Sequence, residues 1–348
     1  MRIHYIQHAP SETPGVILDW AREKGHRLTQ TLTYSDNMPE AAFPSPESFD
    51  WLVIMGGAMN VYEEADYLWL VDEKVFIKKA VDAGKTVLGL CLGAQLLAVV
   101  LGGKVTKNPR KEIGWFPVTL TPEGRELPIL SFLPRQFPVF QWHGDTFSIL
   151  PGGAIPLAES AACKNQGFVY GDRVFAFQFH WENTRETIQE FISSGADELV
   201  PAEYVQTPEE LLAHPEYIKQ NNEWMREFLD RLEAKTEKKT LLFAAASKDG
   251  KLVDTHFGHA TRFYIYEYSG GNVSFKEFRD VPQYCAPEEK EKAGALDLIL
   301  ETIRDCACVL TVRIGEPPRR ALERKGIKVL MTYNPIEEAV REAAEKMR

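Results

Sequence analysis

Apolar and polar positions follow two different periods over the first hundred residues. Residues 15–25 and 70–83 repeat apolar side chains at helical spacing, and Gly25 is placed to end the first helix. Short apolar or alternating runs, which are typical of β-strands, lie at 2–7, 27–34, 50–55 and 86–90. Strands that alternate with helices form parallel sheets covered on both faces, with functional groups at the carboxyl ends of the strands. We therefore predict an α/β fold with an open, mostly parallel sheet and helices on both faces.

Strand patterns dominate the chain after a helix predicted at 93–101. They cover 115–121 and 137–147, and a hairpin is predicted where 167–170 and 174–179 flank Gly171. Amphipathic patterns at 184–193 and 207–232 then predict the helices that close this region.

A charged segment separates two well-patterned regions. Residues 233–239 contain no apolar side chain larger than alanine, so we predict a linker there and domains at 1–232 and 240–348. The second region has a pattern of short strands and helices that predicts a smaller α/β domain. Its strands are expected at 240–246, 251–257, 262–268, 273–278, 308–312 and 326–331, and its helices at 288–304, 317–325 and 336–346.

Length and composition agree with two folded domains. The chain has 348 residues, of which 44% are hydrophobic and 26% charged, enough to bury a sizeable core. The net charge of −10 argues against nucleic acid or an anionic membrane as a partner. No apolar run approaches the roughly 20 residues of a membrane helix, and the first residues lack a signal-peptide core, so a cytoplasmic location is expected. The five cysteines are an odd number and suit reduced thiols.

One cysteine lies where an apolar strand meets a helical pattern. Cys91 stands between Gly89 and Gly93, and glycines permit the tight turn that lifts a nucleophile clear of a sheet. The positive end of the following helix would favour the thiolate, which is the reactive form of cysteine. Apolar-flanked cysteines are also common inert core residues. This segment alone leaves both interpretations open.

A histidine and a carboxylate follow the end of a later apolar strand. His180 and Glu182 are two residues apart, so their side chains can point the same way along a strand. A thiol that attacks an amide needs a base, and the base needs an acceptor to orient it. The pair can supply both functions.

Four motifs in order resemble class I glutamine amidotransferases, in particular the stand-alone type similar to the amidotransferase half of GMP synthase. The resemblance covers about residues 1–235. Its motifs are Gly56-Gly57, Gly89-Leu-Cys-Leu-Gly-Ala-Gln95, Trp142-His-Gly-Asp-Thr-Phe147 and Phe177-Gln-Phe-His-Trp-Glu182. One departure is Trp181, where the family commonly has proline. The resemblance implies a flavodoxin-like sheet and an enzyme that needs no cofactor in this domain.

The resemblance also implies a role for each motif residue. Cys91 would be the nucleophile, His180 the base and Glu182 its orienting partner. Backbone N–H groups near Gly56, Gly57 and Leu92 would form the oxyanion hole. The substrate glutamine would be held by Gln95 and by the segment His143, Gly144 and Asp145, although His143 could equally be a structural loop histidine.

The implied reaction converts glutamine and water into glutamate and ammonia through a γ-glutamyl thioester on Cys91. No G-x-x-x-x-G-K-[ST] phosphate loop occurs in the chain. The segment 269–274 superficially resembles the loop of ATP pyrophosphatases but lacks its aspartate, and we interpret it as a hairpin turn. Ammonia is therefore expected to pass to a separate synthetase. The alternative is a γ-glutamyl hydrolase that acts on another γ-glutamyl compound.

Residues from about 240 to 348 resemble the dinitrogenase iron-molybdenum cofactor biosynthesis family. The matching segments are Asp254-Thr-His-Phe-Gly-His-Ala260, Val309-Leu-Thr-Val-Arg-Ile-Gly315 and Gly326-Ile-Lys-Val329, with Phe263 and Cys306. The resemblance implies a ribonuclease H-like fold and an iron-sulfur or iron-molybdenum type cluster, with His256, His259 and Cys285 as candidate ligands. Paired loop histidines are also often merely solvated.

A third hypothesis for the function of the whole chain is a non-catalytic cofactor carrier or scaffold. Neither pattern nor composition indicates an oligomeric state.

Overall fold

The computed structural model describes residues 1–34, 43–236, 241–269, 272–285 and 289–347. The chain divides into two compact units, Met1–Thr236 and Glu237–Arg348. The last helix of the first unit continues through Thr236, so residues 233–236 of the predicted linker are helical. Leu232, one of the residues of this helix, is buried. Trp51 Nε1 donates to Thr236 Oγ1 at 3.1 Å, which ties the end of the helix to the sheet. Residues 237–239 lie outside the described residues.

The described residues of the first unit form nine strands in one sheet. They are β1 (Arg2–Gln7), β2 (Arg27–Leu32), β3 (Trp51–Ile54), β4 (Thr86–Leu90), β5 (Lys104–Leu120), β6 (Gln136–Ile149), β7 (Ile155–Glu159), β8 (Gly167–Tyr170) and β9 (Val174–Phe177). The order across the sheet is β2-β1-β3-β4-β9-β8-β7-β5-β6. The pairs from β2 to β9 are parallel, whereas those from β9 to β6 are antiparallel. The α/β fold class is confirmed.

Helices cover both faces of this sheet, as the alternation of strands and helices predicts. Along β3, Trp51 and Val53 join one apolar cluster and Leu52 and Ile54 join the other, because successive strand residues point to opposite faces. The helices are α1 (Val16–Glu23), α2 (Trp69–Asp82), α3 (Leu92–Val100), α4 (Pro122–Glu126), α5 (Arg185–Ser194), α6 (Pro208–Leu212) and α7 (Pro215–Thr236). α1 and α7 pack in the first cluster, and α2 and α3 pack in the second.

In the second unit, the described residues form a five-stranded sheet of order β12-β11-β10-β13-β14. Its strands are β10 (Leu241–Ala246), β11 (Arg262–Ser269), β12 (Asn272–Asp280), β13 (Cys308–Thr311) and β14 (Lys328–Met331). Its helices are α8 (Glu289–Thr302), α9 (Glu316–Arg324) and α10 (Ile336–Glu345). β11 and β12 are antiparallel, as expected for a hairpin at 269–274, although Gly270 and Gly271 lie outside the described residues. In the part of the chain that the structure describes, no helix is long and apolar enough to cross a membrane.

Two local predictions differ from the structure. The strand expected at 251–257 is absent from the described elements: Asp254 Oδ1 instead accepts from the N–H of Lys248 at 2.9 Å, which holds the backbone in a turn. β7 was not anticipated, because its short sequence Ile-Pro-Leu-Ala-Glu gives a weak pattern that pairing with β8 and β5 overrides.

Candidate active site

Cys91 lies at the turn between β4 and α3 at the carboxyl end of the parallel strands. Its φ of 49° is the only positive φ of a non-glycine residue among those the structure describes. A Cβ at Gly93 would stand 2.1 Å from the Ile54 carbonyl oxygen, and one at Gly89 would stand 2.6 Å from the Gly93 backbone. The helix can therefore approach the sheet this closely only because both positions are glycine. The turn has the strained, close-packed form that the spacing of glycines predicts.

The thiol of Cys91 is enclosed rather than exposed. The residue is 6% exposed, its Sγ lies 3.5 Å from the Trp142 carbonyl oxygen, and Gln178 Nε2 lies 3.7 Å from Sγ. Burial raises the pKa of the Cys91 thiol, and the interaction with His180 offsets only part of this effect. The N–H of Leu92 at the helix N-terminus lowers the pKa of the thiol, as expected for this position, but desolvation raises it more strongly.

A buried imidazole-carboxylate pair belongs to the same site. His180 Nδ1 donates to Glu182 Oε1 at 2.7 Å, and the side chains are 0% and 1% exposed. Burial by itself would lower the pKa of His180, but Glu182 and Cys91 raise it well above its ordinary value. Nε2 of His180 is buried without a hydrogen-bond partner among the described residues.

Trp181 helps to hold the Glu182 carboxylate in place. Its backbone N–H donates to Glu182 Oε2 at 3.0 Å, a bond that proline could not make. Its ring is fully buried against Phe177 and Phe228. The departure from the family motif thus holds the second oxygen of Glu182 in place.

Six of the ten residues predicted for this site line one cavity of about 430 Å³. They are Gly57, Cys91, Gln95, His143, Gly144 and Asp145. The other four are Gly56, Leu92, His180 and Glu182, which lie outside its lining. The backbone N–H of Gly57 has no acceptor among the described residues, and a hydrogen bond from the backbone N–H of Leu92 to the Cys91 thiol lowers the pKa of that thiol.

The polar side chains of the pocket wall are held by other protein groups. Gln95 Nε2 donates to the Asp145 carbonyl at 3.1 Å and to Gln178 Oε1 at 3.2 Å. Both ring nitrogens of His143 are occupied, one by the Asp145 carbonyl at 3.0 Å and one by Glu112 at 3.1 Å. This geometry favours a structural role for His143 over a polar contact to substrate.

Glu12 is a pocket residue that the sequence reasoning missed. Its Oε2 is buried without a partner among the described residues. This oxygen packs against Gly56, where a Cβ would stand only 2.4 Å from it. Burial raises the pKa of Glu12 to about 7, with His180 lowering it and Glu182 raising it. Its position just after β1, at the carboxyl end of a parallel strand, is the signal that could have identified it.

The candidate metal ligands of the second unit also come together. The rings of His256 and His259 lie 5.8 Å apart around a short 3₁₀ turn, and the N–H of Cys285 donates to the Gly258 carbonyl at 2.9 Å. The two histidines are exposed, and so is the Cys285 thiol, which lies directly over Gly258. Of the described residues, only Glu112, His143 and Cys163 bring three ligand atoms within 4.8 Å of one another. The ligand atoms of His256, His259 and Cys285 do not all lie within that distance of one another.

Cys306 and Cys308 lie in the apolar core of the second unit. Burial raises the pKa of Cys306 to about 12 and that of Cys308 to about 11, in agreement with a core role. Burial likewise raises the pKa of Cys163 to about 11. Its neighbour Glu112 is already bonded to His143, Ser160 and Gln166 at 2.7–3.1 Å, so this group stabilises the pocket wall.

The fold and the site define an α/β protein with a strained, buried cysteine beside a histidine-carboxylate pair. The class-I glutamine amidotransferase family model matches residues 18–195, and the dinitrogenase iron-molybdenum cofactor model matches 239–346. The chain therefore belongs to the class-I glutamine amidotransferase family and carries a C-terminal dinitrogenase iron-molybdenum cofactor domain.

Individual relatives match either the first or the second unit of the chain. The glutamine amidotransferase-like protein YfeJ of Salmonella typhimurium is 35% identical over 241 residues, which are 67% of this chain and 97% of the relative. The FeMo cofactor biosynthesis protein NifB of Frankia alni is 41% identical over 109 residues, which are 31% of this chain but only 21% of that relative. A solved glutamine amidotransferase from Methylobacillus flagellatus is 31% identical with a TM-score of 0.60, covering 68% of this chain and 94% of its own.

Proposed function

We propose that the first unit hydrolyses the side-chain amide of glutamine, with Cys91 as nucleophile, His180 as base and Glu182 as the group that orients His180. The observation that carries the proposal is the strained, buried thiol beside an imidazole whose other nitrogen is bonded to a carboxylate at 2.7 Å. Burial raises the pKa of the thiol and opposes its ionisation, but Glu182 raises the pKa of the imidazole and so favours transfer of the proton from Sγ to Nε2 within the site.

The thiolate attacks the amide carbon, and the carbonyl oxygen becomes an oxyanion that accepts hydrogen bonds from the N–H groups of Gly57 and Leu92. The imidazolium returns its proton to the nitrogen as the C–N bond breaks, which releases ammonia and leaves a γ-glutamyl thioester on Cys91. His180 then takes a proton from water, the hydroxyl attacks the thioester, and the thiol is restored as glutamate leaves.

A separate synthetase is proposed to receive the ammonia. The chain contains no G-x-x-x-x-G-K-[ST] loop that would bind ATP for an acceptor reaction. Similarity to the glutamine-hydrolysing GMP synthase of Thermomicrobium roseum, at 29% identity over 184 residues that are 32% of that protein, is in keeping with such a partner. The cavity is also large enough for a γ-glutamyl compound with a bulkier leaving group.

The test measures ammonia and glutamate released from glutamine by the full chain and by Cys91→Ala. We expect release by the wild type and a loss of at least about 10³-fold in the variant. Cys285→Ala is the matched control, because it makes the same exchange at an exposed thiol of the other unit. The proposal fails if the wild type, alone or mixed with candidate synthetases, cleaves neither glutamine nor another γ-glutamyl compound. Cleavage of only the latter would establish the γ-glutamyl hydrolase.

For the second unit we propose binding of an iron-sulfur or iron-molybdenum type cluster at His256, His259 and Cys285. The supporting observation is the bond from Cys285 N–H to the Gly258 carbonyl at 2.9 Å, which brings an exposed thiol to a turn with two exposed imidazoles. Thiolate and imidazole are suitable ligands for iron clusters. Iron and sulfide content after anaerobic purification and reconstitution tests this, and absence of both would exclude it.

The third hypothesis, a carrier or scaffold without catalysis, is disfavoured by the same features of the first unit. A scaffold has no need of a buried imidazole with one unpartnered nitrogen, because such a group costs stability. The glutaminase assay with Cys91→Ala separates this hypothesis from the enzyme.

A further inference from the structure

Another buried histidine-glutamate pair, besides His180–Glu182 and His143–Glu112, lies at the same edge of the sheet as the thiol. His8 directly follows β1 and Glu73 belongs to α2, and both side chains are 0% exposed. His8 Nε2 lies 3.0 and 3.2 Å from the two Glu73 oxygens, and His8 Nδ1 lies 2.9 Å from the Gly56 carbonyl oxygen. The proton transfers proposed above do not use this pair.

Both ring nitrogens of His8 face oxygen acceptors. A neutral imidazole can donate from only one nitrogen, so donation to both the Gly56 carbonyl and an ionised Glu73 carboxylate requires the doubly protonated ring. Burial by itself would lower the pKa of His8, but Glu73 and the Gly56 carbonyl raise it above its ordinary value. The charged groups that face the ring are Glu73 from α2 and Glu12 from the loop after β1, and the ring of Trp69 stacks on it at 5.4 Å. The ring is thus a fixed cationic donor to a backbone carbonyl.

The carbonyl that His8 holds belongs to the peptide between Gly56 and Gly57. This peptide is trans and planar, so its C=O and the N–H of Gly57 point in opposite directions. Fixing the oxygen on His8 therefore directs the Gly57 N–H away from His8. Gly57 lines the cavity that contains Cys91, and its N–H has no acceptor among the described residues.

A peptide between two glycines is the one that most needs such an anchor. Neither residue has a Cβ to restrict rotation, so the peptide plane could turn and remove the N–H from the cavity. A Cβ would crowd both positions, because one at Gly57 would lie 2.7 Å from the Leu92 side chain and 2.9 Å from the His8 Cβ, and one at Gly56 would stand 2.4 Å from Glu12 Oε2. Glycine at both positions avoids this crowding but lacks the rigidity that side chains supply.

We propose that the His8–Glu73 pair is a positioning device: it holds the Gly56 carbonyl so that the Gly57 N–H points at the oxyanion of the reaction at Cys91. The inference rests on the proposed glutaminase function. The two residues act through the peptide plane and do not touch the reacting atoms.

Replacing His8 by glutamine or by asparagine distinguishes its bond to Glu73 from its bond to the Gly56 carbonyl. The side-chain nitrogen of His8→Gln can reach the place of Nε2 and keep the contact with Glu73, but it leaves the Gly56 carbonyl without a donor. The nitrogen of His8→Asn can take the place of Nδ1 and keep the bond to Gly56, and Glu73→Gln in the same chain removes the unpaired carboxylate. The single and the double variant therefore differ in the one bond that the proposal needs.

We expect His8→Gln to lower kcat for glutamine about 10²-fold, comparable with loss of one oxyanion donor, with KM changed less than about 3-fold. The variant His8→Asn/Glu73→Gln should retain kcat within about 10-fold of the wild type. Binding of glutamate γ-semialdehyde, whose adduct with Cys91 mimics the tetrahedral intermediate, should weaken in His8→Gln by the same factor as kcat. Binding of glutamate should not weaken.

Alkylation of Cys91 by iodoacetamide is the control, because it needs the thiol and His180 but no oxyanion donor. Equal alkylation rates in the wild type and His8→Gln, together with the loss in kcat, support the inference. It is overturned if His8→Gln keeps the wild-type kcat, if alkylation falls as much as kcat, or if His8→Asn/Glu73→Gln folds and is no more active than His8→Gln. A wild type that cleaves no γ-glutamyl amide would instead contradict the proposed function itself.

Discussion

The two units each gather a cysteine and histidine, but in opposite environments. In the first, Cys91 is buried, and His180 is bonded to a buried carboxylate at 2.7 Å. In the second, Cys285 and His256 are exposed, and Cys285 is held through its backbone. Catalysis by a thiol requires desolvated groups in fixed positions, whereas exchange of a metal cluster requires ligands that another molecule can reach. The difference between these sites is one of burial and positioning rather than of residue type.

The largest expected effect is on the base. His180→Gln should lower glutaminase activity at least about 10³-fold, because Gln cannot take the thiol proton. His214→Gln makes the same exchange at an exposed histidine that is bonded to Glu216 at 2.9 Å, and it should leave ammonia release unchanged. Ammonia release measured for both variants checks this. Equal losses in the two would contradict a special role for the buried pair.

Glycine-to-alanine exchanges compare the packing at the two sites. Gly93→Ala should lower the free energy of unfolding by about 2–4 kcal/mol, because its Cβ would stand 2.1 Å from the Ile54 backbone oxygen. Gly258→Ala should cost under about 1 kcal/mol, since its Cβ meets the exposed Cys285 side chain, which can move. Urea unfolding measures both. Gly152→Ala, with open space around it, is the control.

Glu12 makes the stability of the first unit depend on pH. Its pKa of about 7 when folded, against an ordinary 4.5, means that the folded state binds the proton more tightly. Stability is therefore lost as the pH rises from about 4.5 through about 7. Glu12→Gln should remove this loss and gain up to about 3 kcal/mol over the wild type at pH 8, with little gain at pH 5. Thermal unfolding at both values checks it, and an equal gain at both would contradict the assignment.

The smallest expected effect is on iron retention at the proposed site of His256, His259 and Cys285. Cys285→Ser should weaken retention of reconstituted iron about 10-fold, because a hydroxyl is a poor substitute for a thiolate ligand. Competition with a chelator measures this retention. Cys91→Ser, the same exchange in the first unit, should leave iron retention unchanged. If iron is lost equally from both variants, the two sites are not independent.

Local sequence determined the features that short segments carry. The glycines on either side of Cys91 predict a strand, turn and helix, and the spacing of His180 and Glu182 predicts side chains that point the same way. Strand and helix periods also predicted most of the elements of both units. These features depend on backbone preference over a few residues, so they can be recognised without the fold.

Tertiary structure alone decided which distant groups meet and how deeply they are buried. The direction of the pKa shift of Cys91 is the clearest case, because the helix N-terminus is visible in the sequence but the burial that outweighs it is not. The contact between His8 and Glu73 joins residues 65 positions apart, and Glu12 was missed because nothing beside it in sequence marks a pocket. Burial and contact between separate elements follow from the packing of the whole sheet and its helices, which no local pattern contains.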